Sequence, residues 1–457
     1  MTQSMPPKGF STTWGFILAT IGGAVGLGNI WGFPVIAGEN GGGAFILMYF
    51  IFVICFSVPA VIAMILIGRR GGHSPVASTR ELALAEGHSA NWKYLGWIAL
   101  AVAFLALSFF SVVAGWVLVY LVKAVAGVFT GMAVAESKQV FAEVRNDVGG
   151  MIFWHGLFML MTIFIVARGV RDGVEMAARL MMPLLFITLI ILVIYAALTA
   201  EFARAFEFMF YPDFSLINID VMLLALGQAF FSLSVGGGGI LAYGAYLSRS
   251  ASIPHAALAV ATANVSVDML AGLAIFPIVF AYGLETAAGP GLLFESLPIA
   301  FGQMPAGRFF GSLFFLLVFF AALSTSISML ESVVSRLVEY KRGSRVFVAT
   351  FAGGLIWLFG LGSVFSFNIW SDFKPLAFIN LLREATVFRI VDFVTVNVLV
   401  LISAFFICIF SGWIMSEQAT QDELNIKNVY VFRAWRIVMR YLAPGAIATI
   451  FILGLRS

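Results

Sequence analysis

The stretch "TIGGAVGLGNIWGFP", Thr20–Pro34, lies inside the first long apolar run of the chain. It sets five glycines and a proline where a membrane-crossing helix should be continuous. Glycine in a helix interior is unfavourable by about 1 kcal/mol relative to alanine, and proline costs more and removes a donor. In lipid the backbone groups freed by a break need partners, so a broken span persists only where it is buried in protein or lines a cavity. A helix-packing face is one reading, since small residues such as Gly22 and Gly26 let membrane helices approach closely. Asn29 and Pro34 fit that reading less well: an asparagine at mid-membrane needs a partner, and a packing face needs no proline one turn later.

A second interrupted run decides between the two. "FFSLSVGGGGILAYG", Phe230–Gly244, holds four consecutive glycines, 236–239, which cannot sustain a helix without outside support. The surrounding composition is that of a polytopic membrane protein. Of 457 residues, 61% are hydrophobic and 11% charged, against about 25% charged in soluble domains, and the mean hydropathy is +1.02. No cleavable signal is expected, because Met1–Gly9 is short and polar and the apolar run after it is too long for an h-region. A net charge of +3 carries no nucleic-acid signal. Cys55 and Cys408 both lie in apolar runs and are expected to be buried small hydrophobes, with no disulfide framework or metal pattern.

A span needs about 20 apolar residues. Eleven candidates follow: 12–37, 43–68, 92–125, 150–168, 173–198, 219–247, 254–283, 308–339, 345–361, 390–416 and 432–455. With the N-terminus in the cytoplasm, most of the 26 Lys and Arg fall on the cytoplasmic side, as the positive-inside rule requires. The Lys341, Arg342, Arg345 cluster is then an orientation signal. The longer loops, near 126–149, 284–307 and 362–389, fall outside, and 289–298 and 367–372 have the look of ordered caps. Spans 1 and 6 open two five-span halves. Glycine-interrupted spans at corresponding positions of two halves point to inverted repeats with a midplane binding site, where exposed carbonyls hold cations and half-helix N-termini hold anions. The halves are taken as 11–198 and 219–416, with 432–455 as an extra helix.

The runs "ATIGGAVGLGNIWGFP", "ENGGGAFILMY", "SFFSVVAGW", "GQAFFSLSVGGGG", "FFAALSTSISM" and "MRYLAPG" resemble the bacterial branch of the neurotransmitter:sodium symporter family, which includes leucine and hydrophobic amino-acid transporters; the similarity runs over nearly the whole chain. The resemblance implies an all-α, LeuT-type fold with 5+5 inverted repeats and about eleven transmembrane helices. It also implies sodium-coupled uptake, and alternating access in which spans 1, 2, 6 and 7 rock against a scaffold. It implies a first sodium site from Ala24, Asn29, Ser232 and Asn264, completed by the substrate carboxylate. A second would use Gly22, Val25, Ala321, Ser324 and Thr325.

From the residues themselves, the hydroxyls of "LSTSIS" are unusual in an apolar span. Each either bonds back to its own preceding turn or serves a shared cation site. Asp268 is a carboxylate inside a span, which costs about 2.5–3.5 kcal/mol on insertion scales and is functional by default. With Tyr49 and Gln228 beside it, the resemblance makes it a built-in substitute for chloride and a proton carrier on the return step; a purely structural Asp is the alternative. No chloride requirement is therefore expected.

The implied substrate pocket comprises Ala24, Gly26, Ala106, Phe110, Val113, Phe231, Ser234, Gly237, Ser326 and Met329. Gly26 stands where amine transporters of the family carry aspartate, which favours an amino acid, and Gly237 suggests room for a large neutral side chain. The chain also departs from the family pattern. Phe110 replaces a tyrosine, Gly32 an arginine, Met64 a glutamate, Phe10 a tryptophan, and Pro7 the inner-gate arginine. Asp392 is thereby left as an outer-gate acid without its partner, and Lys8 is the candidate partner of Glu339 at the inner gate. These departures keep open a different zwitterion or amine as substrate, or a sensor that no longer cycles. The partners expected are a small molecule and the bilayer, in a monomer or weak dimer of the bacterial inner membrane. The four histidines are expected at span ends or in loops. No nucleophile–base pair or paired catalytic aspartates stands out, so no enzyme is expected.

Overall fold

The computed structural model describes residues 9–284, 291–341 and 344–454. Among these, nine helices are long and apolar enough to cross a membrane: Gly43–Gly71, Ala90–Ala126, Val148–Ala167, Val170–Thr199, Ile253–Ala281, Gly307–Tyr340, Arg345–Phe365, Val387–Ile414 and Val429–Gly454. They are spans 2 to 5 and 7 to 11. Span 1 is the pair Thr13–Ala24 and Gly28–Glu39, bent by 57° at its break. Span 6 is Ile219–Ser232 followed, after the non-helical residues 233–237, by Gly238–Gly244. Both interruptions fall where the glycines predict them.

Span 8 is the structural axis: 78% of its most apolar stretch is buried, against 22% for span 11 at the periphery. Span 3 packs along it, spans 4 and 9 back these two, and Thr13–Ala24 of span 1 and Gly238–Gly244 of span 6 pack on span 8 directly, while Gly28–Glu39 packs on span 7 and Ile219–Ser232 on span 2. Glycine is required at Gly236, where φ is +92° and a Cβ would stand 2.3 Å from the Val400 carbonyl oxygen of span 10. Ser234, at φ +51°, holds a left-handed conformation without being glycine, so the second break is strained as well as open.

The two expected caps are ordered where described. Trp116 of span 3 packs edge-on against Phe141 of the helix Val134–Asn146, Phe294 of the loop before span 8, and Phe367 of the loop after span 9, at centroid distances of 5.4, 5.7 and 4.8 Å. Residues 289 and 290 lie outside the described residues.

Two expectations are corrected. Cys55 is exposed, on a helix face shared with exposed Ile51 and Ile54; its run is apolar because that face meets lipid, not protein. His155 is fully buried within span 4, with Nε2 3.1 Å from the Trp357 carbonyl oxygen of span 9. Glycines at 115 and 360 make the space for it.

Replacing Gly236 by alanine is expected to destabilise the fold by about 1–3 kcal/mol. Gly237→Ala is expected to cost less, because φ there is −74° and a Cβ would meet only Ser234, nearest at its carbonyl oxygen, 3.1 Å away. Thermal unfolding of the two purified variants separates them.

Candidate functional site

At the first break Val25 turns extended (φ −75°, ψ 108°), and helix resumes through a π-helical turn, Gly28–Gly32. Asn29 closes the gap: its Oδ1 accepts the N–H of Gly26 at 2.9 Å. Its Nδ2 donates to Asp268 Oδ1 at 2.8 Å, Asn264 Oδ1 at 3.1 Å and Ser232 Oγ at 3.3 Å. The Tyr49 hydroxyl donates to Asp268 Oδ2 at 2.5 Å and lies 2.7 Å from Ser232 Oγ. Asn264 Nδ2 donates to Ser232 Oγ and, at 3.4 Å, to Asp268 Oδ2.

Five side chains from spans 1, 2, 6 and 7 thus form one network, none more than 2% exposed. A buried carboxylate is tolerated only with such partners, and Asp268 has Asn29, Tyr49, Ser232 and Asn264 as donors. Gln228 is buried too, but its Nε2 has no hydrogen-bond partner; the structure does not tie it to this network.

A second cluster lies where span 8 crosses the same break. Thr325 Oγ1 donates to the carbonyl oxygens of Val25 at 2.9 Å and Gly22 at 3.2 Å. The break frees these carbonyls, since the last carbonyls of a helix have no partner within it. The other hydroxyls of "LSTSIS" divide. Ser324 Oγ bonds back to Ala321 at 3.0 Å and Ser326 Oγ to Ala322 at 2.9 Å. Ser328 instead faces the breaks: a Cβ at Gly23 or at Gly239 would come within 2.7 or 2.0 Å of its Oγ. Back-bonding therefore accounts for two of the four, and helix-to-helix contact for the others.

Both clusters are built of neutral oxygens with at most one carboxylate. That donor chemistry suits a hard alkali cation, and unwound backbone carbonyls at mid-membrane are a known way to hold one. The residues fit sodium at both places: Asn29, Ser232 and Asn264 at one, Gly22, Val25 and Thr325 at the other.

The substrate candidates fall around the breaks. Ala24 and Gly26 border the first break. Ser234 and Gly237 lie in the second, where Ser234 Oγ donates to the Gly23 carbonyl at 3.4 Å. Phe231, 44% exposed, lies over Gly28, whose Cβ would stand 2.7 Å from its ring. Ala106, Phe110 and Val113 lie on span 3, and Met329 on span 8, the helix along which span 3 packs. Ser326 has its hydroxyl committed to its own helix, which leaves that group unavailable as a donor in this arrangement.

The gate residues depart from expectation. Asp392 is not alone: Arg389, three residues earlier on the same helix, stands 3.5 Å from it. Glu339 is engaged by His73 Nδ1 at 3.0 Å, Arg336 at 3.2 Å and the Ser74 hydroxyl, while Lys8 lies outside the described residues. Around Gly32 a side chain would meet nothing within 4 Å.

Three further polar clusters escape the sequence reading. Glu331 of span 8, fully buried, accepts from the Tyr246 hydroxyl at 3.0 Å and from Arg345 of span 9. Arg345 is therefore more than an orientation charge; Arg342 lies outside the described residues. Glu175 of span 5 accepts from Ser11 N at 2.7 Å and Ser11 Oγ at 2.5 Å and pairs with Arg179 at 2.6 Å. Arg69, at the end of span 2, pairs with Glu423 at 2.6 Å and donates to the Ala251 carbonyl at 2.5 Å. An acid within an apolar span is a signal in its own right, and it was available for Glu331.

The family model described as the Sodium:neurotransmitter symporter family matches residues 8–143 and 135–457. The chain is 34% identical over 455 residues to an uncharacterized sodium-dependent transporter of Bacillus subtilis, YhdH, covering 99% of this chain and 98% of that one. It is 31% identical over 460 residues to an uncharacterized sodium-dependent transporter of Haemophilus influenzae, covering 99% of each. The crystal structure of MhsT in complex with L-phenylalanine superposes with a TM-score of 0.88 at 36% identity, covering 97% of this chain and 99% of that one. The helix breaks, the fold and these similarities agree: the chain belongs to the sodium:neurotransmitter symporter family, as a sodium-dependent transporter with the LeuT-type fold.

Proposed function

We propose that the protein is a symporter that imports a small neutral amino acid with a hydrophobic or aromatic side chain, driven by two sodium ions and without a chloride requirement. The observation that carries this reading is the buried network in which Asn29, Ser232, Asn264 and Tyr49 gather on Asp268 across four spans. A fixed carboxylate next to a sodium site supplies the negative charge that a chloride ion would otherwise bring. Sodium at the first site would rest on Ala24, Asn29, Ser232 and Asn264 together with the substrate carboxylate. At the second it would rest on Gly22, Val25, Ala321, Ser324 and Thr325. Each sodium moving with the membrane potential contributes about 2.3 kcal/mol per 100 mV, enough for concentrative uptake. The halves 11–198 and 219–416 would alternate access around these sites, with 432–455 accessory. The chain would lie in the inner membrane with its N-terminus inside, as a monomer or weak dimer without enzymatic activity.

MhsT is solved with L-phenylalanine, which supports a bulky apolar side chain here, as does the absence of a side chain at Gly237 in the second break. The amine reading loses support from the Arg389–Asp392 pair, since a neutralised Asp392 attracts a cationic substrate less. Intact sodium ligands speak against a sensor that does not cycle.

In proteoliposomes, uptake of phenylalanine or leucine is expected to require a sodium gradient; indifference to replacing sodium with a bulky organic cation would refute the proposal. Uptake by the parent chain is expected to be the same in chloride and in gluconate, and to fall as the medium is acidified, because protonation removes the charge of Asp268. The Asp268→Ser variant should need chloride and lose that pH dependence. Chloride-independent uptake by this variant would remove Asp268 from the role.

Two pocket substitutions test the substrate class. Phe110→Tyr should tighten α-amino acid binding about tenfold, the worth of one hydrogen bond to a charged group. Gly237→Leu should shift the preference from aromatic to smaller side chains. Sodium-dependent thermal-shift titrations with glycine, leucine, phenylalanine and simple amines read both.

A further inference from the structure

Four basic residues, Lys427, Arg433, Arg436 and Arg440, stand at the start of span 11, on the membrane face where span 1 also begins. Elsewhere on that face Arg69, Arg179, Arg336 and Arg345 each meet a carboxylate. The three arginines of span 11 do not: among the described residues no carboxylate oxygen lies within 4.0 Å of Arg433, Arg436 or Arg440. Glu86 and Glu417 act on Arg436 only from farther away.

These arginines are nevertheless held. Arg436 is 7% exposed. It donates to Thr420 Oγ1 at 2.9 Å and to the Met415 carbonyl at 3.2 Å, and its Nε is buried without a partner. Arg440 donates through Nε to the Gly412 carbonyl at 2.5 Å, and its guanidinium lies 5.2 Å from the Trp413 ring centre. Trp413 in turn donates to the Arg440 carbonyl at 3.0 Å and packs against Tyr441 at 5.4 Å. Arg433 is exposed and has no partner among the described residues.

Depth follows from Trp413. It stands one residue before the end of span 10, where an exposed tryptophan marks the water–lipid boundary. Arg440 is level with it. Arg436 and Arg433 then lie about 6 and 10 Å further toward water at 1.5 Å per residue, which is the headgroup zone. Arg433 and Arg436 are three residues apart on the α-helical part of span 11, Val429–Ile437, and Arg440 follows in the π-helical turn Val438–Leu442. Exposed Tyr441 and Leu442 continue the flank into the lipid belt. A charge that served only to orient the chain would need neither the burial of Arg436 nor the ring beside Arg440.

We propose that Arg433 and Arg440, with Trp413 beside Arg440 and the buried charge of Arg436 behind them, form a site for the phosphate headgroup of an anionic phospholipid, whose chains lie along Tyr441 and Leu442. The occupant is a lipid rather than a free anion because the site opens sideways onto the lipid-facing flank of spans 10 and 11. A basic residue at a membrane surface is worth about fivefold in affinity for anionic lipid.

The test uses the purified, delipidated full chain at constant sodium. Native mass spectrometry and thermal melting are followed with added phosphatidylglycerol, phosphatidylcholine or inorganic phosphate. Phosphatidylglycerol should be retained and should raise the melting temperature; phosphatidylcholine and inorganic phosphate should do neither. Arg433→Gln should weaken retention about fivefold and Arg433→Gln/Arg440→Gln further, while Arg433→Lys should bind nearly as the parent. Arg433→Gln removes an exposed side chain with no partner among the described residues, so this arm does not depend on how Arg440→Gln folds. Equal retention by the parent, Arg433→Gln and the double variant would overturn the proposal. So would equal retention of phosphatidylcholine by the parent, or equal stabilisation by inorganic phosphate.

Discussion

A peptide group freed from its helix inside a bilayer has no water to bond, and each such group left alone costs several kcal/mol. The centre of this protein is organised around that constraint. Span 1 breaks at Val25, and its released carbonyls at Gly22 and Val25 are met by Thr325 from span 8. The N–H of Gly26 is met by Asn29 of the same span. Span 6 breaks beside it, and the Gly23 carbonyl receives Ser234. The break in span 1 is not self-sufficient, since it borrows from span 8 and from span 6. Span 6 borrows in turn from span 2, whose Ser57 hydroxyl donates to the Ala229 carbonyl, so the two interrupted spans and their straight neighbours form one unit.

The same arrangement explains why side chains here are either very small or polar. Glycines at 23 and 239 admit the Ser328 hydroxyl to within van der Waals contact of both breaks. A methyl group at either would push span 8 away and leave carbonyls bare. Asn29 carries a double load: its oxygen holds the break and its nitrogen reaches Asp268. The geometry of the backbone and the position of the one buried carboxylate in this network are therefore coupled through a single side chain.

Much of this was legible in the sequence, for identifiable reasons. Glycine runs and an intramembrane carboxylate have few alternative explanations in lipid, so both breaks and Asp268 are found from residue type alone. Which hydroxyl of "LSTSIS" crosses to span 1 is not, because successive helical residues point about 100° apart and the answer depends on how span 8 is rotated against its neighbour. Thr325 faces span 1; Ser324 and Ser326 turn back. The Arg389–Asp392 pair was present as "RIVD", at a spacing where helical side chains meet. Glu331 and Arg345 lie on different helices, and nothing in their local sequence announces the pairing. His155 leaves no periodic trace either: a single histidine in an apolar helix looks the same whether it faces lipid or a slot between glycines.

The ion pairs are distributed unevenly between the two faces of the membrane. On the face where span 1 begins some of them join separate segments, as Arg69 to Glu423, His73 to Glu339 and Arg345 to Glu331 do, beside the local pairs Arg179–Glu175 and Arg336–Glu339, and Glu175 also accepts hydrogen bonds from Ser11 ahead of span 1. On the other face the two pairs among the described residues, Arg204–Glu201 and Arg389–Asp392, are each local to one helix segment, and the segments there are joined by aromatic packing around Trp116. These two kinds of closure respond differently to water. A polar latch loses most of its strength once solvent reaches it, because the Coulomb energy falls with the dielectric constant. Packed rings instead gain from excluding water. Water reaching a polar contact on the first face would weaken that contact, whereas water reaching the rings on the other would favour their staying packed.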